Sequence, residues 1–242
     1  MTAFIFAAGI GSRLKPLTDT MPKALVPIAG CPIFDYVVDK LQRQGFDRFI
    51  VNVHHFAPML TEHIAQRPDA DRFAISDETD LLRDTGGAIR HAASLIGNEP
   101  FLVHNVDIIS NFDINRLLSN RRHDALATLL VSDRQSTRYL LFDNDFRLVG
   151  WANTTTGDIK SPYPALDPDQ CIKRAFAGIH YISHDICPLM TNYPERFSII
   201  DFYLDHAATH KIYGYADPTL QLIDIGKPET LALAEKQFII DN

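Results

Sequence analysis

Residues 1–30 carry Arg13, Lys15 and Lys23 against a single acid, Asp19, in a chain whose formal charge is −7. A local excess of cations in an acidic protein is what a polyanion site requires. The same stretch contains Phe6-Ala7-Ala8-Gly9-Ile10-Gly11-Ser12-Arg13-Leu14, an apolar run ending in small residues. Backbone can approach a ligand closely there, and free N–H groups can cradle phosphate. Leu14 stands where a dinucleotide fingerprint has its third glycine, and no Gly-Lys-Ser/Thr follows, so neither that motif nor a P-loop is present. Taken alone, Gly9-Ile10-Gly11 also reads as a plain tight turn.

Two carboxylates stand at the ends of apolar runs, Asp107 after Phe101–Asn105 and Asp224 in Leu222-Ile223-Asp224-Ile225-Gly226. Ligands of open α/β sheets bind beyond the carboxyl ends of the strands. Two aspartates meeting there can hold a Mg²⁺ that takes its other ligands from water and phosphate. Either aspartate by itself reads as a turn or cap. In Arg83-Asp84-Thr85-Gly86-Gly87-Ala88, Thr85 is a helix cap beside a glycine turn, or the glycines lay flat backbone against a base. Other chemistries lack their residues. The histidines form no metal set, since His54 and His55 adjoin at a strand end and point to opposite faces. Cys31, Cys171 and Cys187 have neither zinc nor disulfide spacing, and no G-x-S-x-G elbow occurs. Trp151, the only tryptophan, suits a pocket wall and a core plug equally.

The elements that must position these groups alternate. Strands are expected at Ala3–Ala7, Phe49–Val53, Phe73–Ser76 and Phe101–Asn105, with helices over Pro32–Gln44, Met59–Gln66 and Gly86–Leu95 between them. That order implies parallel strands joined by crossovers. The second half reads as strands Ala125–Val131, Tyr139–Phe142, Leu148–Gly150, Phe176–Ile182, Ile212–Ala216 and Leu220–Ile223, with helices Ser198–His210 and Glu229–Phe238. Asp143-Asn144-Asp145 makes a hairpin turn, and Trp151–Lys173, with Pro162, Pro164 and Pro168, reads as one long functional loop.

The chain has 242 residues, 46% hydrophobic and 22% charged, which fits one globular α/β domain and disfavours disorder. An acidic balance argues against a nucleic-acid binder. Met1–Phe6 lacks a basic leader and no apolar run is long enough to cross a bilayer, so a cytoplasmic protein without membrane attachment is expected.

The loop continues as Lys15-Pro16-Leu17-Thr18, then Met21-Pro22-Lys23-Ala24-Leu25-Val26-Pro27-Ile28, and the whole resembles the signature of the sugar-1-phosphate nucleotidyltransferases. Leu82–Ile89 resembles that family's base-contacting loop, Phe176–His180 its sugar-side strand, and Leu222–Glu229 the segment of its second metal aspartate. The length is similar to that of the compact N-acetylmuramate-1-phosphate uridylyltransferases and the small hexose- or heptose-1-phosphate guanylyltransferases. The resemblance implies a Rossmann-like mixed, mainly parallel sheet flanked by helices, with a smaller sugar-side β subregion. It implies a single domain over 1–242, with 1–124 mainly binding nucleotide and 125–242 mainly binding sugar and supplying the second aspartate.

The implied reaction joins a nucleoside monophosphate, from a triphosphate, to a sugar 1-phosphate and releases pyrophosphate, with uridine favoured over guanosine. Arg13 and Lys23 would be catalytic, and Asp107 and Asp224 would bind Mg²⁺. Ala7, Ala8, Gly9, Gly11, Thr85, Gly86 and Gly87 would bind nucleotide, and Asn105 and Gly178 the sugar. Two departures stand out. Val106 replaces the glycine usual before Asp107; it is expected to avoid positive φ and to narrow the pocket. The Glu-Lys-Pro segment that holds the sugar phosphate in longer members has no counterpart, Lys160 and Lys173 being the nearest candidates. A choline-phosphate cytidylyltransferase and a non-catalytic nucleotide-sugar sensor are the competing functions.

Overall fold

The computed structural model describes residues 1–238. Its centre is strand Thr2–Phe6, in which Ala3, Phe4 and Ile5 are all fully buried. A strand covered on both faces reads as a continuous apolar run, which is why this one has no alternation. Its side chains still point alternately: Ala3 and Ile5 enter one core layer with helix Ile33–Arg43, and Phe4 enters the other with Ile89 and Phe202. Thr2–Phe6 pairs in parallel with Arg48–Val53 on one side and Phe101–Asn105 on the other, and Arg48–Val53 pairs in parallel with Phe73–Asp77. The loops after these strands therefore open at one edge.

Strand Ile172–Ile182 extends the sheet antiparallel to Phe101–Asn105, and Ala127–Ser132, Arg138–Phe142, Leu148–Asn153, Ile159–Lys160 and Ile212–Ala216 complete its ten strands. The sheet is thus mixed and helix-flanked, as expected. Within Ile172–Ile182 the pairing shifts between Phe176 and His180, around Gly178 at φ +74. Segment 151–173 departs from expectation. Trp151 and Ala152 pair with Lys160 and Ile159 across a turn closed by Gly157 N–H on the Asn153 carbonyl at 2.8 Å. The loop shrinks to the stretch that carries the three prolines. The helix expected over Gly86–Leu95 starts earlier and breaks, as Asp84–His91 and Ala93–Ile96. Strand Ile108–Ser110, too short to show a period, pairs antiparallel with Leu222–Asp224 and was not legible. Helix Ile114–Asn120, capped by the Asp113 carboxylate on Asn115 N–H at 2.9 Å, also went unread.

Two buried histidines give the core an acid limit. His104 Nδ1 donates to the Asn105 carbonyl at 2.7 Å, and His180 Nδ1 is hydrogen-bonded to the Tyr203 hydroxyl at 2.6 Å. Burial drives His104 down to about 4 and His180 down to about 3. Both lie below the ordinary histidine value of 6.5, so the unfolded chain takes up protons first as pH falls. Their contribution is whole above about pH 6.5 and is lost toward the folded values, by up to roughly 1.4 kcal/mol per pH unit for each ring. Denaturant unfolding between about pH 7 and 5 should show this slope, and two imidazole NMR signals should stay flat across it. A normal titration midpoint near 6.5 at both rings would refute the expectation.

Candidate active site

The signature loop wraps around Gly11, whose carbonyl accepts from Leu14 N–H and from Thr18 Oγ1, each at 2.8 Å. Gly11 has φ +68, and a Cβ there would lie 2.8 Å from Thr18 Cγ2 and 3.1 Å from Lys23 Cβ. The glycine is needed twice over, for its conformation and for space. Folding the loop this way brings Lys23 back under the strand ends, only 7% exposed, where Nζ pairs with Asp107 Oδ2. Lys15 stays outside, bonded to Asp19 at 3.0 Å.

Asp107 and Asp224 meet through the two-stranded ribbon. Asp224 lies opposite Ile108, and Ile225 N–H donates to the Asp107 carbonyl at 2.8 Å. Asp224 Oδ1 is buried and has no hydrogen-bond partner among the described residues. Burial first, then the neighbouring Asp107 carboxylate, push the Asp224 carboxyl above its ordinary value, while Lys23, Arg13 and Arg134 oppose the shift. A Cβ at Gly226 would sit 3.1 Å from Asp224 Oδ1 and 3.2 Å from Arg13 Nη2. That glycine therefore lets carboxylate and guanidinium approach one another. An unsatisfied, partly desolvated carboxylate oxygen beside a second carboxylate suits a hard cation. Among the described residues no third acidic, histidine or cysteine ligand joins them.

A cavity of about 350 Å³ opens on one side of this centre, lined by Ala8, Gly9, Gly11, Thr85, Asn105 and Asp107 among others. A second of about 890 Å³ lies on the other, lined by Arg134, Arg138, Trp151, Lys160 and Asp224. Arg13 borders both. Trp151 is therefore wall, with Lys160 Nζ 5.4 Å from its ring centre. Lys173 is bound to Asp169 at 2.8 Å and lines neither cavity.

Several expected nucleotide contacts are already occupied. Ala7 and Ala8 N–H both donate to Asn52 Oδ1, at 2.7 and 3.3 Å. Asn52 in turn donates to Glu78 Oε1 at 2.9 Å, and Glu78 Oε2 accepts from Arg83 N–H at 3.1 Å. Gly86 and Gly87 N–H donate to the Phe197 carbonyl at 2.9 and 3.2 Å. Added Cβ atoms would meet the Phe197 ring at 2.4 Å and the Glu195 carbonyl at 2.2 Å. These two glycines serve close packing under segment 195–198, and neither lines either of these two cavities. Thr85 lines the smaller cavity, and its Oγ1 accepts from Ile199 N–H at 2.9 Å. Asp84 lines it too, at φ +59, an uncommon conformation for a residue with a side chain. Gly178 packs against Asn105, its would-be Cβ 2.8 Å from Asn105 Nδ2.

Val106 is not among the positive-φ residues, as expected. It is 4% exposed, packs in the core and contributes to the cavity wall. Sequence reasoning missed Asn52, Glu78, Gly226 and Arg134. The signal for Glu78 was a carboxylate a few residues past a strand end on the ligand edge, the position that drew attention to Asp107.

The model of the nucleotidyl transferase family matches residues 2–142. The chain belongs to that family. This nucleotidyltransferase is 30% identical to N-acetylmuramate alpha-1-phosphate uridylyltransferase of Caulobacter vibrioides, over 98% of its own length and 96% of the relative's. A uridylyltransferase of the same description from Neisseria meningitidis is 34% identical over 47% of the chain. The crystal structure of HddC from Yersinia pseudotuberculosis complexed with GMP-PN superposes with a TM-score of 0.76, at 23% identity, covering 98% of this nucleotidyltransferase and 99% of that chain. The last likeness establishes the fold. No helix among the described residues is long and apolar enough to cross a membrane.

Proposed function

We propose that this nucleotidyltransferase transfers uridine monophosphate from uridine triphosphate to N-acetylmuramate α-1-phosphate, releasing pyrophosphate. The observation that carries the reading is the junction itself. Lys23, Arg13, Asp107 and Asp224 converge where a nucleotide-sized cavity meets a larger polar one. The sugar phosphate is an anionic nucleophile at neutral pH, its second pKa being about 6, so no general base is needed. Catalysis reduces to positioning and charge neutralisation. Arg13 holds the leaving pyrophosphate, and Lys23 the α-phosphate or the incoming phosphate. Asp107 and Asp224 would hold Mg²⁺, which would supply positive charge to the triphosphate.

The choice of sugar rests on charge and relatives. The larger cavity is lined by Arg13, Arg134, Arg138 and Lys160 against only Asp201 and Asp224. Lys160 is tied to Asp201 at 2.7 Å, and Arg134 donates to the Phe176 carbonyl at 3.1 Å. The remaining positive charge matches a sugar with a carboxylate besides its phosphate, as in the substrate named for the Caulobacter relative. Uridine follows from the two uridylyltransferase relatives.

Pyrophosphate release should be measured for four nucleoside triphosphates against 1-phosphates of N-acetylmuramate, N-acetylglucosamine, glucose, mannose and a heptose, with choline phosphate included. Uridine with N-acetylmuramate should exceed every other pair by at least about tenfold, the low end of discrimination by a single pocket contact. Preference for guanosine with mannose or heptose would make the chain a guanylyltransferase. Binding of nucleotide-sugar without release from any pair would make it a sensor.

A further inference from the structure

Helix Ile33–Arg43 buries an apolar face of Ile33, Phe34, Val37, Val38 and Leu41. Beside that face it reaches the strand after Asp107 with a cation. Lys40 Nζ donates to the Ser110 carbonyl and lies 3.2 Å from Ser110 Oγ. Ser110 is 3% exposed, and its Oγ also accepts from Phe112 N–H at 3.4 Å. Both partners of the ammonium are neutral, and burial lowers Lys40 to about 8. A spacer would not need the charge, since an apolar side chain of the same length avoids the desolvation cost.

What the ammonium grips is the ribbon that carries the metal pair. Ser110 stands opposite Leu222, two residues along from the Ile108–Asp224 pairing. An isolated ribbon of three residues per strand is marginal on its own, and a slip of one residue would turn Asp224 to the other face. The far turn, residues 217–220 leading into Leu222, has separate fastenings. Asn111 Oδ1 accepts from Gln221 N–H at 2.9 Å, and Arg116 Nη1 binds Asp217 Oδ2 at 2.9 Å.

We propose that Lys40 is a positioning residue: by holding Ser110 against helix Ile33–Arg43 it fixes the ribbon at the depth and register that bring Asp107 and Asp224 together. This rests on the reading of those aspartates as a metal pair. It places a determinant of metal affinity on a helix that contributes no ligand.

The test compares Lys40→Met, Lys40→Arg, Arg116→Ala and Asp224→Asn. Mn²⁺ affinity is measured by electron paramagnetic resonance with a non-hydrolysable uridine triphosphate analogue present. Hydrogen exchange is followed at the Ile225 amide, which spans the ribbon to Asp107. Lys40→Met should weaken Mn²⁺ binding and speed Ile225 exchange, each at least about tenfold, while Lys40→Arg, which keeps the charge in a broader head group, recovers part of both. Arg116→Ala, loosening the far turn, should change Mn²⁺ affinity less than about twofold, whatever it does to Tm. The proposal is overturned if Lys40→Met leaves both readouts within twofold of wild type, or if Arg116→Ala shifts them equally. Unchanged Mn²⁺ affinity in Asp224→Asn would defeat the metal reading instead. Lys40 would then lose its role toward metal and keep only the exchange effect.

Discussion

Asp224→Asn should lower kcat about a thousandfold, and Asp107→Asn should do the same, several kcal/mol of transition-state charge stabilisation being what a bound divalent ion supplies. The double variant should be little worse than either single one, because residues that act as a unit are not additive. Stability should move the other way. Asp224 keeps a buried oxygen without a hydrogen-bond partner among the described residues, and its carboxyl is raised by burial and by Asp107. Removing that charge relieves an unfavourable interaction, so the Tm of Asp224→Asn should equal or exceed that of wild type. Thermal melts and initial rates on the same preparations check both halves. A single variant retaining more than a tenth of wild-type kcat would sink the assignment.

Lys23→Ala should lower kcat by roughly a hundredfold or more, in the range for losing one preorganised charge at the reacting centre. Lys23 is nearly buried and faces Asp107, so its loss also leaves that carboxylate without its cation. Lys23→Arg should recover only part, because a broad planar guanidinium does not fit the space of a compact ammonium. Lys15 provides the internal control. It lies on the same loop, is solvent-exposed and is engaged with Asp19. Lys15→Ala should therefore stay within about threefold of wild type. Equal losses at Lys15 and Lys23 would mean that the loop acts only through its overall positive potential.

The first half of the sheet was legible because its determinants are local. The run through Phe4 and Ile5 and the apolar spacing of Ile33, Phe34, Val37, Val38 and Leu41 announce strand and helix directly. Asp107 and Asp224 were legible as strand-end carboxylates, but nothing local says that Ile108 and Asp224 pair. A three-residue strand has too few positions to display a period. Gly86 and Gly87 were read for what they offer a ligand, whereas a glycine pair also marks where another segment must come close. Here that segment is 195–198, remote in sequence and invisible from the motif itself. Asn52 and Glu78 were missed for a related reason: their importance lies in the Ala7 and Ala8 amides that Asn52 secures.

The ribbon joining Ile108–Ser110 to Leu222–Asp224 also fixes how far synthesis must run before Asp107 and Asp224 can meet. A nascent chain can close the parallel strands Thr2–Phe6, Arg48–Val53 and Phe101–Asn105 soon after they emerge from the ribosome. Between residues 107 and 224 it would carry a cation-rich loop with only one of the two aspartates. Asp224 follows only with the second strand of the ribbon, so the two carboxylates cannot meet before Leu222–Asp224 is made.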